Sequence, residues 1–463
     1  MDRIWGSFRD PSGVVFKHDN KIFRSVSELG KERYLSIKNI LERSIEYNFL
    51  IDTKEINNDD LKKKFNASLL LEHKKIPYIS FPYEWNFEQL RDAALHHLNF
   101  QIFLLEHGFE LIDASAFNIQ FIGAKPFFID ALSISKYEDG NPWIAHNQFC
   151  EQFLNPLIFA SVNKINYNNY YKGSFDGIKN AEIVNMLSFF HKVKPTIFFN
   201  ILLPNFFDKL TSQKKFSENS NKKKNSKKKF FSKSSYFWII KSLKKFITNI
   251  KNPSSKSFWG RYSEEKTYSN INYEIKKNIV RDFVIRKKLN KVADIGCNNG
   301  DFSELCIVSG SNYVVGFDYD HNCLEKSLFR AKDKKLNFLP LYLDATNPSA
   351  NIGWFQKERE GFLERADFDG LIALAFEHHL AIAKNIPLQD IIDWFLKIAP
   401  TGLIEFVPKN DSTIQVMLSL KGDIFPEYTE QNFREILSKC ARIINVSEIG
   451  DSGRKIYEYE KFR

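Results

Sequence analysis

The sequence predicts a mixed architecture: an α+β N-terminal part, and a C-terminal α/β part with a doubly wound, mostly parallel sheet. Three observations predict it. In the C-terminal half, short runs of Val, Ile, Leu and Phe alternate with stretches long enough for a helix, which is the rhythm of a parallel sheet with crossover helices. Near the middle, SQKKFSENSNKKKNSKKKFFSKSS carries too little apolar surface to offset the entropy of ordering it, and reads as a linker. The whole chain, 463 residues with 43% hydrophobic and 15% aromatic side chains, can bury two or three cores of about 150 residues each. The division expected is residues 1–208, a linker with an amphipathic helix over 209–257, and residues 258–463.

The net charge of +10 belongs to the middle segment. Between Lys209 and Lys256 there are 15 lysines and one acid, Glu218, and the rest of the chain holds 51 basic and 55 acidic residues. The folded parts are therefore slightly acidic, and nucleic acid is not the expected partner. Five scattered cysteines (Cys150, Cys297, Cys306, Cys323, Cys440) without a C-x-x-C pair indicate neither a disulfide framework nor a zinc site and suit a reducing cytosol. The start, MDRIWGSFRD, has no apolar run behind its charges, and no stretch of about 18 apolar residues occurs, so neither a signal peptide nor a spanning helix is expected and the location read is cytoplasmic.

In the N-terminal part, PSGVVFKHDNKIFRSV reads as one hairpin with a single Gly13, and IPYISFPYEW as a hinge leading into the helix FEQLRDAALHHLNFQIFLLEHG. A denser constellation follows. Asp113 and Asn118 lie five apart on a loop; a hairpin turns at Gly123, and Asp130 ends the apolar run PFFID. Phosphoryl transfer needs a carboxylate to accept the substrate proton, and an amide and a second carboxylate to hold magnesium. Asp113 as base, with Asn118 and Asp130 as metal ligands, have that order. It resembles the catalytic loop and metal-binding strand of protein-kinase-like folds, small-molecule kinases in particular, and that resemblance implies Mg and ATP. No G-x-G-x-x-G precedes it, Ala131 and Leu132 stand where a glycine is expected, and Lys17, Lys21 and Arg24 compete as the phosphate-anchoring cation. Three readings stay open: an active kinase, a degenerate kinase-like domain that binds acceptor or nucleotide, and an unrelated helical domain.

After the lysine run, Tyr236, Ile239, Ile240, Leu243, Ile247 and Ile250 recur at helical spacing with Lys241, Lys244, Lys245 and Lys251 between them. This basic amphipathic helix either packs on the next domain with its lysines in water or, over 230–251, makes weak contact with an anionic membrane surface.

The C-terminal strands are KVADIG, NYVVGFDY, LNFLPLYLD, DFDGLIALAF, GLIEFV and RIINVSEI, with KIYEYEKF as a final edge strand. VADIGCNNGDFSELC runs strand, tight turn, helix: Asp294 ends the strand, and Gly296 and Gly300, with Asn298 between, allow the turn and bring backbone near a ligand. Asp318 ends the next strand, placed to take both hydroxyls of a ribose, and Asp344 follows the third, where an adenine ring would lie. These acids line the crevice in which open α/β sheets bind ligands. The glycine spacing is not G-x-G-x-x-G, and Asp294 would repel a pyrophosphate while suiting an ammonium. S-adenosylmethionine is therefore favoured over a dinucleotide. The fourth strand delivers Glu377, His378 and His379, with either histidine as general base and Glu377 orienting it; the plain alternative is a helix cap. Glu405, Lys409 and Asp411 are expected to line the acceptor pocket, unless Glu405 only pairs with Lys409. Asn347, Pro348, Ser349 and Trp354 read as a lid.

From about Trp259 to Arg463, the segments DIGCNNGDFS, GFDYD, LDATNPSANIGW, ALAFEHHLAIAKNIPL, LIEFVPKNDSTIQVML and DIFPEYT resemble a bacterial family of class I S-adenosylmethionine-dependent methyltransferases related to rhizobial nodulation proteins, and that family also carries the kinase-like half. The resemblance implies a Rossmann-like class I methyltransferase sheet behind an active or degenerate kinase-like domain. It implies methyl transfer to a hydroxyl or amine of a small-molecule or glycan-related acceptor. Cys297 and Asn299 stand where the family has alanine and threonine, and Glu377 where it has isoleucine or leucine. Two other classes compete: a small-molecule phosphotransferase with an auxiliary C-terminal domain, and a non-catalytic adaptor that binds anionic partners through the lysine run.

Overall fold

The structure, a computed structural model, describes residues 2–206, 232–253 and 270–462; most of the predicted linker, including the lysine run up to Phe231, lies outside them. The chain divides into two compact units. The first comprises Met1–Ile76, Ser80–Gln120 and Pro126–Pro253, and the second Pro77–Ile79, Phe121–Lys125 and Ser254–Arg463.

The first unit opens with an antiparallel sheet in the order β1-β2-β3-β5-β4, made of β1 (Asp2–Arg3), β2 (Gly13–His18), β3 (Lys21–Val26), β4 (Thr53–Ile56) and β5 (Leu69–His73). The β2–β3 hairpin turns on Asp19 and Asn20, whose φ values of 46° and 61° give the turn a twist that matches the strands. Helix α1 (Glu28–Glu46) follows β3 and starts at Ser27, whose hydroxyl caps the Gly30 N–H. Helix α2 (Phe87–Glu106) begins in a capping box between Asn86 and Gln89. Beyond it, β6 (Phe109–Leu111) pairs with β9 (Ile134–Lys136), and β7 (Ile119–Ile122) with β8 (Lys125–Phe128).

Helix α3 (Lys233–Asn249) corrects the predicted division. Its stripe of Tyr236, Ile240, Leu243 and Ile247 is buried, and the helix counts with the N-terminal unit, neither with a free linker nor with the domain that follows. The Tyr236 hydroxyl donates to Glu110 at 3.0 Å and accepts from Gln101 of α2 at 2.8 Å. The apolar stripe is thus spent inside the protein.

The second unit is built on a seven-stranded sheet: β10 (Lys291–Ile295), β11 (Tyr313–Asp318), β12 (Phe338–Tyr342), β13 (Gly370–Ala373), β14 (Thr401–Phe406), β15 (Ala441–Glu448) and β16 (Lys455–Lys461). Their order is β12-β11-β10-β13-β14-β16-β15, parallel from β12 to β14 and antiparallel through β16 and β15. The helices are α4 (Asn270–Lys287), α5 (Asp301–Val308), α6 (His321–Asp333), α7 (Glu377–Lys384), α8 (Leu388–Ile398), α9 (Ser412–Lys421) and α10 (Glu430–Cys440). Val280, Phe283 and Val284 of α4 join Val292, Val314, Phe338, Ile372 and Leu403 of the strands in one core, the mark of a helix packing one stripe on a sheet.

The terminal strand departs from expectation. KIYEYEK is β16, interior between β14 and β15, with Ile456, Tyr457 and Tyr459 buried. The edge is β15, whose residues are mostly exposed and whose pairing slips between Ile443 and Asn445, as edge strands do. Among the described residues, no helix is long and apolar enough to cross a membrane.

Candidate functional site

Sequence order reverses about β10, whose neighbours β11 and β13 lead to opposite sides of the sheet, and the crevice at such a switch lies at the C-terminal strand ends. The loop from β10 to α5 turns through three left-handed residues, Gly296 (φ 80°), Asn298 (φ 48°) and Gly300 (φ 78°). A Cβ on Gly296 would lie 2.7 Å from the Phe376 ring, and one on Gly300 would lie 2.5 Å from the Phe338 ring. The absent side chains therefore make room for these two rings.

Asp318 holds that loop. Its Oδ2 accepts the Asn298 N–H and its Oδ1 the Asp320 N–H, both at 2.8 Å. The Tyr319 N–H adds a third backbone donor to this carboxylate. Burial pushes its pKa up to about 6. Asp294 is more deeply placed and accepts the Ser303 hydroxyl at 2.6 Å; burial, opposed by Ser303 and reinforced by the charges of Asp318 and Asp301, pushes it up to about 7. Asp344 turns the chain after β12, its Oδ1 accepting the Thr346 N–H at 3.0 Å and the Thr346 hydroxyl at 2.6 Å. Beside these acids sits an aromatic group that sequence reasoning missed: His321 stacks on Tyr342 at 4.6 Å, and the exposed Tyr319 approaches Tyr342 at 5.7 Å. The signal was present, since Tyr319 directly follows Asp318. Among the described residues no cluster of three or more His, Cys, Asp or Glu is arranged to hold a metal ion.

On the other side of β10, β13 leads through the left-handed Ala375 into α7. Glu377 is fully buried; its Oε1 accepts the Val407 N–H at 3.1 Å and the Tyr428 hydroxyl at 2.7 Å. Its Oε2 lies 3.5 Å from His378 Nδ1, and neither atom has a hydrogen-bond partner. The His379 ring is 4.2 Å from that of His378. Burial, with the nearby His378 and Arg454, holds the His379 pKa near about 3, so it is neutral.

The predicted acceptor-pocket trio is rearranged. Glu405 does not pair with Lys409. It is fully buried and takes Lys276 Nζ of α4 on both oxygens at 2.7 Å, with Arg454 Nη1 at 3.4 Å. Arg454 in turn binds Asp411 at 2.7 Å, and Lys409 binds Asp423 at 2.8 Å. Glu405 and Asp411 belong to a buried four-charge cluster, which sequence could not show because Lys276 is 129 residues from Glu405. Trp354 is exposed, and Ser349 is tied down by Arg365 at 3.0 Å and by Phe362 N–H at 2.7 Å.

In the first unit, Asn118 donates to Asp113 Oδ2 at 3.0 Å, and Ser115 N–H to Oδ1 at 2.8 Å. Burial raises the Asp113 pKa. Asp130 accepts the Ser133 hydroxyl and forms an ion pair with Arg24 of β3, which also pairs with Asp10. Burial alone would raise Asp130, but the guanidinium takes it below the ordinary carboxylate range. Of the three candidate cations Arg24 is the one at Asp130; Lys21 pairs with Glu72, and Lys17 is exposed. A divalent ion does not fit this arrangement, because the carboxylate it needs is already neutralised.

The parallel sheet with its reversed edge hairpin, and the row of acids at its strand ends, define a Rossmann-like α/β protein with acids along the crevice at its switch point. The chain is 39% identical over 463 residues to nodulation protein NoeA of Rhizobium meliloti (strain 1021), spanning 99% of this chain and 96% of that protein. It belongs to the NoeA family. No family model matches it. Among solved structures it is similar to the magnesium protoporphyrin IX methyltransferase ChlM from Synechocystis PCC 6803, at 16% identity and a TM-score of 0.30 over 45% of this chain and 90% of that one. It is also similar to the N-methyltransferase NodS from Bradyrhizobium japonicum WM9, at 10% identity and a TM-score of 0.29 over 42% and 99%.

Proposed function

We propose that the C-terminal unit is an S-adenosylmethionine-dependent methyltransferase acting on a hydroxyl or amine of a small-molecule or glycan-related acceptor. The observation that carries the reading is the Asp318 carboxylate. It braces the Gly296–Gly300 loop through Asn298 N–H and, at the end of its strand, keeps acceptor capacity for a ribose hydroxyl. Asp294, its pKa pushed up to about 7 by burial, suits an ammonium group, whose charge favours the ionised acid. The exposed Tyr319 offers an aromatic face to a purine, and Asp344 a nearby acceptor. Gly296, Asn298 and Gly300 shape the turn.

S-adenosylmethionine supplies a methyl group on a cationic sulfur. The chain's own work is to align the acceptor and take its proton. His378 fits the base, with Glu377 Oε2 at 3.5 Å from its Nδ1 to stabilise a proton taken up on the ring; His379, held neutral, packs beside it. The glycan-related class rests on the family's link to nodulation alone. Calorimetry with S-adenosylhomocysteine is expected to show one site, and a His378→Ala, His379→Ala variant to keep that binding while losing transfer of radiolabelled methyl to the small-molecule fraction of a cell extract. No binding to the wild type would remove the cofactor assignment; full transfer by the variant would remove the base.

For the first unit we infer a kinase-like domain that binds without transferring phosphate. The sheet order with α1 after β3, the Asp113–Asn118 loop and the hairpin before Asp130 support the likeness. The Arg24–Asp130 pair supports the loss of transfer. Wild-type protein with Mg and ATP should hydrolyse no faster than Asp130→Ala. A magnesium-dependent rate that Asp130→Ala abolishes would instead mark a phosphotransferase.

A further inference from the structure

We propose that the N-terminal unit docks on an anionic bilayer surface through an aromatic patch centred on Phe199 and Trp238. This is independent of the chemistry proposed above. It also uses a different face of α3 from the apolar stripe, which is buried. On the outward face Trp238 is 60% exposed, and Lys241 and Lys245 follow it at one-turn spacing, both exposed. The helix carries no acid. Phe199 is 51% exposed, and its ring meets Trp238 edge to face at 6.5 Å.

With Trp143, Leu203, Pro204 and Ile239 these two rings line an open, largely apolar cavity of about 650 Å³. Exposed apolar surface of this kind marks an interaction site. Its surroundings choose the partner. Residues 183–207 contain no acid, yet Phe189, Phe190, Phe198 and Phe206 are exposed there; beyond Asp208, the sequence from Lys209 to Lys256 holds 15 lysines and one acid, against the two exposed acids Glu138 and Asp139 near Trp143. Aromatic side chains interleaved with a large excess of lysine over acid suit the interface of an anionic bilayer, where rings enter the headgroup layer and ammonium groups meet lipid charge. A second copy of the chain fits less well, since a self-facing contact would set these lysines against each other.

The test is sedimentation of full-length protein with phosphatidylcholine vesicles, and with vesicles containing about 30% phosphatidylglycerol. Binding is expected on the anionic vesicles alone. A Phe199→Ser, Trp238→Ser variant should bind at least tenfold more weakly with an unchanged melting temperature, because both side chains are half-exposed. A Lys241→Glu, Lys245→Glu variant should weaken binding similarly. Absence of binding to anionic vesicles would overturn the proposal. So would undiminished binding by the aromatic variant, which would assign the contact to the lysine run alone. A concentration-dependent dimer abolished by the same aromatic variant would also overturn it, making a second copy the occupant.

Discussion

Replacing Lys276 with methionine is expected to lower the melting temperature of the C-terminal unit by roughly 10 °C. Lys276 is buried on α4, and its ammonium is the partner of both Glu405 oxygens; burial lowers its pKa even so. Without it, Glu405 stays buried with only a long contact to Arg454, whose guanidinium is committed to Asp411. Removing one partner of a buried pair costs about 3–5 kcal/mol, and in a unit of this size each kcal/mol shifts the midpoint by about 2–4 °C. Replacing both members by apolar residues of similar size is close to neutral, so Lys276→Met, Glu405→Met should recover most of the loss. Scanning calorimetry decides: a single-variant shift under about 2 °C, or a double variant no better than the single, would mean the pair does not hold α4 to the sheet.

Affinity for S-adenosylhomocysteine is expected to climb as pH rises from about 5 to 7.5, by up to roughly tenfold per unit for each proton released. With pKa values pushed up to about 7 for Asp294 and about 6 for Asp318, both acids are protonated at the low end, and a ligand ammonium binds the ionised form. Asp294→Asn should flatten the upper part of the profile and weaken binding at pH 8 by about 10- to 100-fold, the range of a charge-assisted hydrogen bond. A flat wild-type profile, measured by calorimetry in buffers of matched ionic strength, would remove the ammonium from Asp294. The same shifts act on stability with a definite sign. The folded state keeps protons that the unfolded chain has already lost, so stability contributed by these acids is greatest below the ordinary carboxylate range and falls as pH rises toward about 7. Ligand binding at Asp294 should cancel that fall.

Much of the second unit was legible because its signals are local. A strand, a turn of left-handed residues and a helix start occupy Lys291 to Val308, and each acid of the crevice sits within two residues of a strand end. Turn chemistry and continuous apolar runs act over a few residues, so they survive being read one window at a time. The position of Asp130 after a Gly123 hairpin was legible for the same reason.

The sequence by itself determined two folded parts, the parallel strands in their order, the acids at their ends, and the address of the net charge between Lys209 and Lys256. Only tertiary structure decided what those charges and stripes face. Arg24 reaches Asp130 across 106 residues, and Lys276 reaches Glu405 across 129, while KIYEYEK, which looks the same as an edge or an interior strand, slots between β14 and β15. The stripe on α3 would serve a membrane or a neighbouring helix equally well, and the fold gives it to the N-terminal unit. The reason is common to all four cases. A side chain's charge or hydrophobicity states what it needs buried or paired, and the path of the distant chain decides which partner arrives.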